Sequence, residues 1–121
     1  MSTNAINWFE IPVTDMERAL AFYNKILAAQ MTSMETMGMV YAFLPSKEGV
    51  GGGLVKADGY VPSQQGVVVY LNGGDDLDVV LQRVDAAGGK VLMPKTSIGE
   101  NGFMAFFQDS EGNRIGIHSM S

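Results

Sequence analysis

The chain repeats itself at about half its length, and this constrains its fold more than any single motif. The stretch Phe43-Leu44-Pro45-Ser46-Lys47-Glu48-Gly49-Val50-Gly51-Gly52-Gly53-Leu54 has an echo in Phe107-Gln108-Asp109-Ser110-Glu111-Gly112-Asn113-Arg114-Ile115-Gly116-Ile117. One gap at Lys47 aligns Ser46 with Ser110, Glu48 with Glu111, Gly49 with Gly112 and Gly53 with Gly116. Upstream, Val13-Thr14-Asp15-Met16-Glu17 matches Gly74-Asp75-Asp76-Leu77-Asp78, and Leu20 then falls on Leu81. A period of this size means two copies of one supersecondary unit, which cover about residues 4–57 and 66–120 of a single domain.

Each copy reads strand, helix, then about three strands. Trp8–Val13 alternates, with Phe9, Ile11 and Val13 on one face and Trp8, Glu10 and Pro12 on the other. Thr14-Asp15-Met16-Glu17 reads as a capping box with Thr14 as cap and Glu17 reaching back. A helix with Met16, Leu20, Tyr23 and Leu27 on its core stripe, flanked by Ala19 and Ile26, is expected to end near Ala28-Ala29. A methionine-rich stretch precedes a strand at Met39–Leu44, and Lys56–Gln65 reads as the linker between copies.

In the second copy, Gly66–Leu71 reads as a strand. Asp75 or Asp76 caps a helix with Leu77, Val80, Leu81 and Val84 on its core stripe, and Gly88-Gly89 ends it. Val91–Met93, Phe103–Gln108 and Asn113–His118 follow as strands, with Pro94–Gly102 as a polar loop. Such a βαβββ unit cannot bury both faces of its sheet alone. The expected fold is α+β, with two βαβββ repeats forming one curved mixed sheet, helices outside and a trough inside.

Composition narrows the function classes. With 46% apolar and 17% charged residues, the chain suits a globular domain with a real core. Its net charge of −5, without basic clusters, argues against nucleic acid and anionic membranes as partners. The absence of cysteine excludes disulfides and zinc–sulfur sites. With no membrane-length apolar run and no signal-peptide layout, the expectation is a soluble cytoplasmic protein.

Three segments carry a resemblance to a known family. They are Phe9–Ala19 with Phe22-Tyr23, then Ala86-Ala87-Gly88-Gly89-Lys90-Val91, then Phe107–Gly116. Through them the chain resembles the vicinal oxygen chelate superfamily of glyoxalase I, bleomycin-resistance proteins and extradiol dioxygenases. It is most similar in style to small lactoylglutathione-lyase-related proteins. The resemblance spans nearly the whole chain and implies a paired βαβββ fold, a homodimer and a metal held by four positions. Carried onto this sequence, those positions are Trp8, about Gly53, Val69 and Gly116. The internal repeat links them in the same way, since an offset of 61 joins Trp8 to Val69 and one of 63 joins Gly53 to Gly116.

None of these four side chains can ligate a divalent metal, which needs imidazole, carboxylate or thiolate groups. The expectation is therefore no metal and no cofactor. The expected ligand pocket comprises Trp8, Glu10, Gly53, Val69, Leu71, Arg114, Gly116 and His118. Glu10 reads either as a trough carboxylate, serving as a base or binding a cation, or as a half-exposed residue at a strand end or dimer seam. His118, the one histidine, reads either as an acid–base group or as a hydrogen-bonded residue near a chain end. Arg114 could pair with Glu10 or a ligand carboxylate, or lie solvated at a turn end.

Three functions follow. The first is a metal-free homodimer that binds a small, partly apolar molecule. The second is a lyase or isomerase with Glu10 and His118 as its acid–base pair. The third is a structural or interaction module whose trough is filled by Trp8.

Overall fold

The computed structural model describes residues 4–121. The first half runs β1 (Trp8–Pro12), α1 (Met16–Ile26), β2 (Ser33–Thr36), β3 (Met39–Phe43) and β4 (Gly51–Lys56). The second runs β5 (Tyr70–Asn72), α2 (Leu77–Leu81), α3 (Val84–Ala87), β6 (Lys90–Ser97), β7 (Phe103–Gln108) and β8 (Arg114–Ser119). Both halves are βαβββ units with the same pairing, β1-β4-β3-β2 and β5-β8-β7-β6. In each, the first strand runs parallel to the last and the other pairings are antiparallel.

The helices cover one face of each sheet. α1 packs on β4 and α3, while α2 rests on β6, β7 and β8. A single core joins the halves, with Phe22, Tyr23, Ile26, Leu54, Leu77, Val84, Phe107 and Ile117 inaccessible to solvent. Phe22 sits at the centre, edge-on to Tyr23 with centroids 4.9 Å apart and 5.9 Å from Phe107. The buried stripe of α1 is Met16, Ala19, Phe22, Tyr23 and Ile26. It is rotated from the expected stripe, so Leu20 and Leu27 lie at its margin, because α1 must face α3 as well as its own sheet.

The expected single sheet is divided between β1 and β5, which no ladder joins. Residues 66–69, expected as strand, precede β5 without strand pairing of their own. Side chains meet at this seam instead: Phe9 and Val69 both pack against the common core. The second helix is interrupted after Leu81 and resumes at Val84, ending where Gly88 adopts φ 104°. β6 extends to Ser97 across Pro94, through the expected loop. As an edge strand with two register shifts it tolerates the missing donor. No helix is long and apolar enough to cross a membrane among the described residues.

The start of α1 corrects the capping box. Asp15, not Thr14, is the cap, accepting from the Arg18 N–H at 3.1 Å. The carboxylate expected from Glu17 comes instead from Glu111, in the other half. One Glu111 oxygen accepts the N–H groups of Thr14 and Asp15, both at 2.8 Å, and Arg18 grips the carboxylate through Nε at 2.6 Å and Nη2 at 3.0 Å. The fit follows from the unsatisfied donors and positive end of a helix N-terminus.

Burial alone would raise the Glu111 pKa. Arg18, the two backbone donors and the Ser110 hydroxyl outweigh burial and lower it from 4.5 to about 2. A carboxylate whose folded pKa is depressed adds stability above its unfolded pKa and loses it as pH falls through the folded one. Glu111→Gln is therefore expected to destabilise at neutral pH, with the gap to the parent closing between pH 4.5 and about 2. Urea denaturation across that range checks it, and a gap independent of pH would refute the assignment.

Candidate functional site

The sheet faces away from the core carry the candidate site. In the first half this face presents Trp8 and Glu10 from β1, Tyr41 and Phe43 from β3, and Gly51 and Gly53 between them on β4. The register places Trp8 beside Gly51, Glu10 beside Gly53, and Gly53 beside Phe43. In the second half it presents Tyr70 and Asn72, then Arg114, Gly116 and His118, then Met104 and Phe106.

A hydrogen-bond chain crosses the first face. Trp8 Nε1 donates to Tyr41 Oη at 2.7 Å, and Tyr41 Oη donates to Glu10 Oε2 at 2.9 Å. Tyr60 Oη donates to the other oxygen, Oε1, at 2.8 Å. Burial and the Glu10 carboxylate push the Tyr41 phenol up, against the opposing Trp8 N–H, and the hydrogen bond to Glu10 does the same for Tyr60. Both phenols stay protonated donors. The rings adjoin Phe43, which lies 5.1 Å from Tyr41 and 5.9 Å from Trp8, the latter edge-to-face.

The two glycines that repeat at 53 and 116 are both roofed by tyrosine. A Cβ on Gly53 would meet the Tyr41 ring, with Cζ at 2.5 Å, and a Cβ on Gly116 would lie 2.6 Å from Tyr70 Cδ2. An aromatic ring over a strand glycine restores the packing that the missing side chain gives up.

The expected pocket residues do not converge on one cavity. Trp8, Val69 and Leu71 border a cavity of about 630 Å³ at the seam, with Val50, Gly51, Val68 and Tyr70. Glu10 and Arg114 border a second of about 340 Å³. His118 borders a third of about 600 Å³ with Tyr70, Asn72 and Asp75.

Glu10 and His118 therefore stand apart, on different sheets, and His118 Nε2 is engaged with the Asn101 carbonyl at 2.6 Å. Leu71 is a core residue and Val69 packs against the core, and both also border the seam cavity. Arg114 lies over the Phe106 ring at 5.4 Å, and its buried Nε makes no hydrogen bond.

The pairing of Trp8 with Val69 at an offset of 61 is altered by a one-residue shift. The Val13 N–H bonds the Val55 carbonyl as the Gly73 N–H bonds the His118 carbonyl, so the first strands align at an offset of 60 while the last strands align at 63. The counterpart of Trp8 is Val68. The helix caps Asp15 and Asp76 still align at 61, which places the extra residue between strand and helix.

The residues present do not fit the family's metal. Trp8, Gly53, Val68 and Gly116 offer no donor side chain, and tyrosine rings occupy the space above both glycines. No group of three His, Asp or Glu side chains able to hold a metal forms among the described residues. Sequence reasoning missed Tyr41, Phe43, Tyr60 and Tyr70 as site residues. The signal was available for three of them in the alternation of aromatic positions opposite strand glycines, but Tyr60 lies in the linker and carried none.

The family model described as "Glyoxalase/Bleomycin resistance protein/Dioxygenase superfamily" matches residues 5–117. A "Glyoxylase-like domain-containing protein" of Didymella fabae is 32% identical, covering 93% of this chain and 91% of its own length. CFP32 of Mycobacterium bovis, whose name carries the word glyoxylase, is 28% identical over 92% of this chain but only 44% of its own length. The chain thus spans under half of the first curated relatives it matches. Among solved structures, a glyoxylase/bleomycin resistance protein/dioxygenase domain from Frankia sp. EAN1pec covers 99% of this chain and 100% of its own. It has a TM-score of 0.74 at 16% identity, a likeness of fold. Pairing, helix placement and the family match agree: the chain belongs to the glyoxalase/bleomycin resistance protein/dioxygenase superfamily.

Proposed function

We propose that this protein is a metal-free member of its superfamily that binds a small, partly apolar molecule at the seam between β1 and β5. The observation that carries this reading is the pair of tyrosine rings over Gly53 and Gly116, beside a cavity of about 630 Å³ walled by Trp8, Val50, Val68 and Tyr70. That volume and its mostly apolar walls suit a small organic ligand. Trp8 is 43% exposed and borders the cavity, which favours a binding wall over a plug. The acid–base alternative lacks a shared cavity for Glu10 and His118. The reading includes a homodimer, for which the exposed Ile6 and Val67 offer apolar surface.

Two measurements test it. Protein purified without added metal is expected to hold no stoichiometric divalent metal. A thermal-shift screen of small metabolites is expected to find a stabilising ligand, since binding to the folded state alone raises stability. A stoichiometric metal, or a screen without any stabilising compound, would sink the proposal.

A further inference from the structure

Glu10 is a carboxylate held in place without an ion-pair partner among the described residues, although Arg114 borders the same cavity. The ion pairs among the described residues are Arg18–Glu111 and Lys95–Asp76, and neither involves Glu10. Its two oxygens each accept one neutral phenol, from Tyr41 and Tyr60. A carboxylate offers about four acceptor positions, so capacity remains on its exposed side. Two donors from different segments fix its orientation without neutralising its charge.

The neighbours of this carboxylate are aromatic. Trp8 lies two residues along the same strand face, and Phe43 projects from β3, edge-to-face with Trp8. Trp8 and Phe43 remain 43% and 55% exposed. Aromatic faces carry negative electrostatic potential and attract cations, most strongly for Trp. A hard metal ion is a poor occupant, because one carboxylate among rings leaves its coordination incomplete. An ammonium with an alkyl shell fits better, since its charge meets Glu10 while its methyl groups lie on the rings.

We infer that Glu10, with Trp8, Tyr41, Phe43 and Tyr60, forms a site for a small alkylated ammonium ion. The inference rests on the reading of this face as a ligand site and names the chemical class of the ligand's polar end. Trp8 borders the seam cavity and is tied to Glu10 through Tyr41, so the cation site adjoins the seam.

Trp8 is the sole tryptophan and reports on the site directly. Its emission is titrated with choline and with the neutral isostere 3,3-dimethylbutan-1-ol, against sodium chloride at matched ionic strength. Choline is expected to give a saturable change with at least about fivefold tighter binding than the isostere, in keeping with a cation–aromatic contribution. Glu10→Gln keeps an acceptor for the tyrosines and is expected to remove the preference. Phe43→Ala, at an exposed position, should weaken choline binding while leaving the circular dichroism spectrum unchanged.

Equal binding of the two probes overturns the cation site and leaves the apolar-ligand reading standing. A preference that survives Glu10→Gln, or no response to choline, also overturns it. The metabolite screen then judges the broader reading independently.

Discussion

Asp109→Ala is expected to cost about 3–5 kcal/mol of folding stability, measured by urea denaturation, because it strips partners from several buried donors at once. Asp109 is 1% exposed. Its Oδ2 accepts from Tyr23 Oη at 2.7 Å and Asn113 Nδ2 at 3.0 Å, and its Oδ1 accepts the N–H groups of Glu111 and Asn113, both at 2.9 Å. Tyr23 is inaccessible to solvent, so its hydroxyl cannot turn to water when the carboxylate is lost. Burial and the neighbouring Asp109 hold the Tyr23 phenol well above its ordinary pKa, as expected of a donor locked onto an anion. Asp109→Asn should destabilise by less, since the amide oxygen keeps some of these bonds while its NH₂ faces another donor. A loss under about 1 kcal/mol for the alanine variant would mean that the turn has other ways to satisfy these groups.

The second large effect separates two glycines that the repeat makes equivalent. Gly53→Ala is expected to cost about 2–3 kcal/mol and to change Trp8 emission, whereas Gly116→Ala costs about 1 kcal/mol. In both, an added Cβ collides with a tyrosine ring. The difference lies in what holds the ring. Tyr41 is 7% exposed and tied at its hydroxyl to Trp8 and Glu10, so moving it breaks the chain of hydrogen bonds. Tyr70 is 48% exposed, and its hydroxyl reaches only Met104 Sδ at 4.0 Å, so it can swing aside. Chemical denaturation of both variants gives the order directly. Equal losses would show that strand geometry, not the tyrosine anchor, controls these positions.

What could be read from the residues was whatever is periodic. The alternation of Trp8–Val13 assigned its two faces correctly, and Leu77, Val80, Leu81 and Val84 are all buried as the spacing predicts. β2 gave no such signal, because Ser33–Thr36 is exposed throughout and exists through its pairing with β3. The site was legible only as a set of positions. Sequence distance hides these pairs: Trp8 and its acceptor Tyr41 are 33 positions apart, and Glu10 and Tyr60 are 50 apart. The repeat also overstates likeness. Glu48 aligns with Glu111, yet Glu48 is exposed while the Glu111 side chain is fully enclosed around the start of α1.

The enclosure of the Asp109–Asn113 turn has a consequence for how the chain acquires its fold. Beyond the Glu111 and Asp109 bonds, Asn113 Nδ2 donates to the Pro12 carbonyl, 101 positions away. A fragment ending near residue 57 would leave the entrance of α1 and the Tyr23 hydroxyl without these partners. Closing so long a stretch of chain must precede the reward of those contacts, which is the condition for slow folding governed by topology. The duplicated halves have thereby lost independence. Each resembles a unit that could stand alone, but the pair is built to form and to unfold cooperatively.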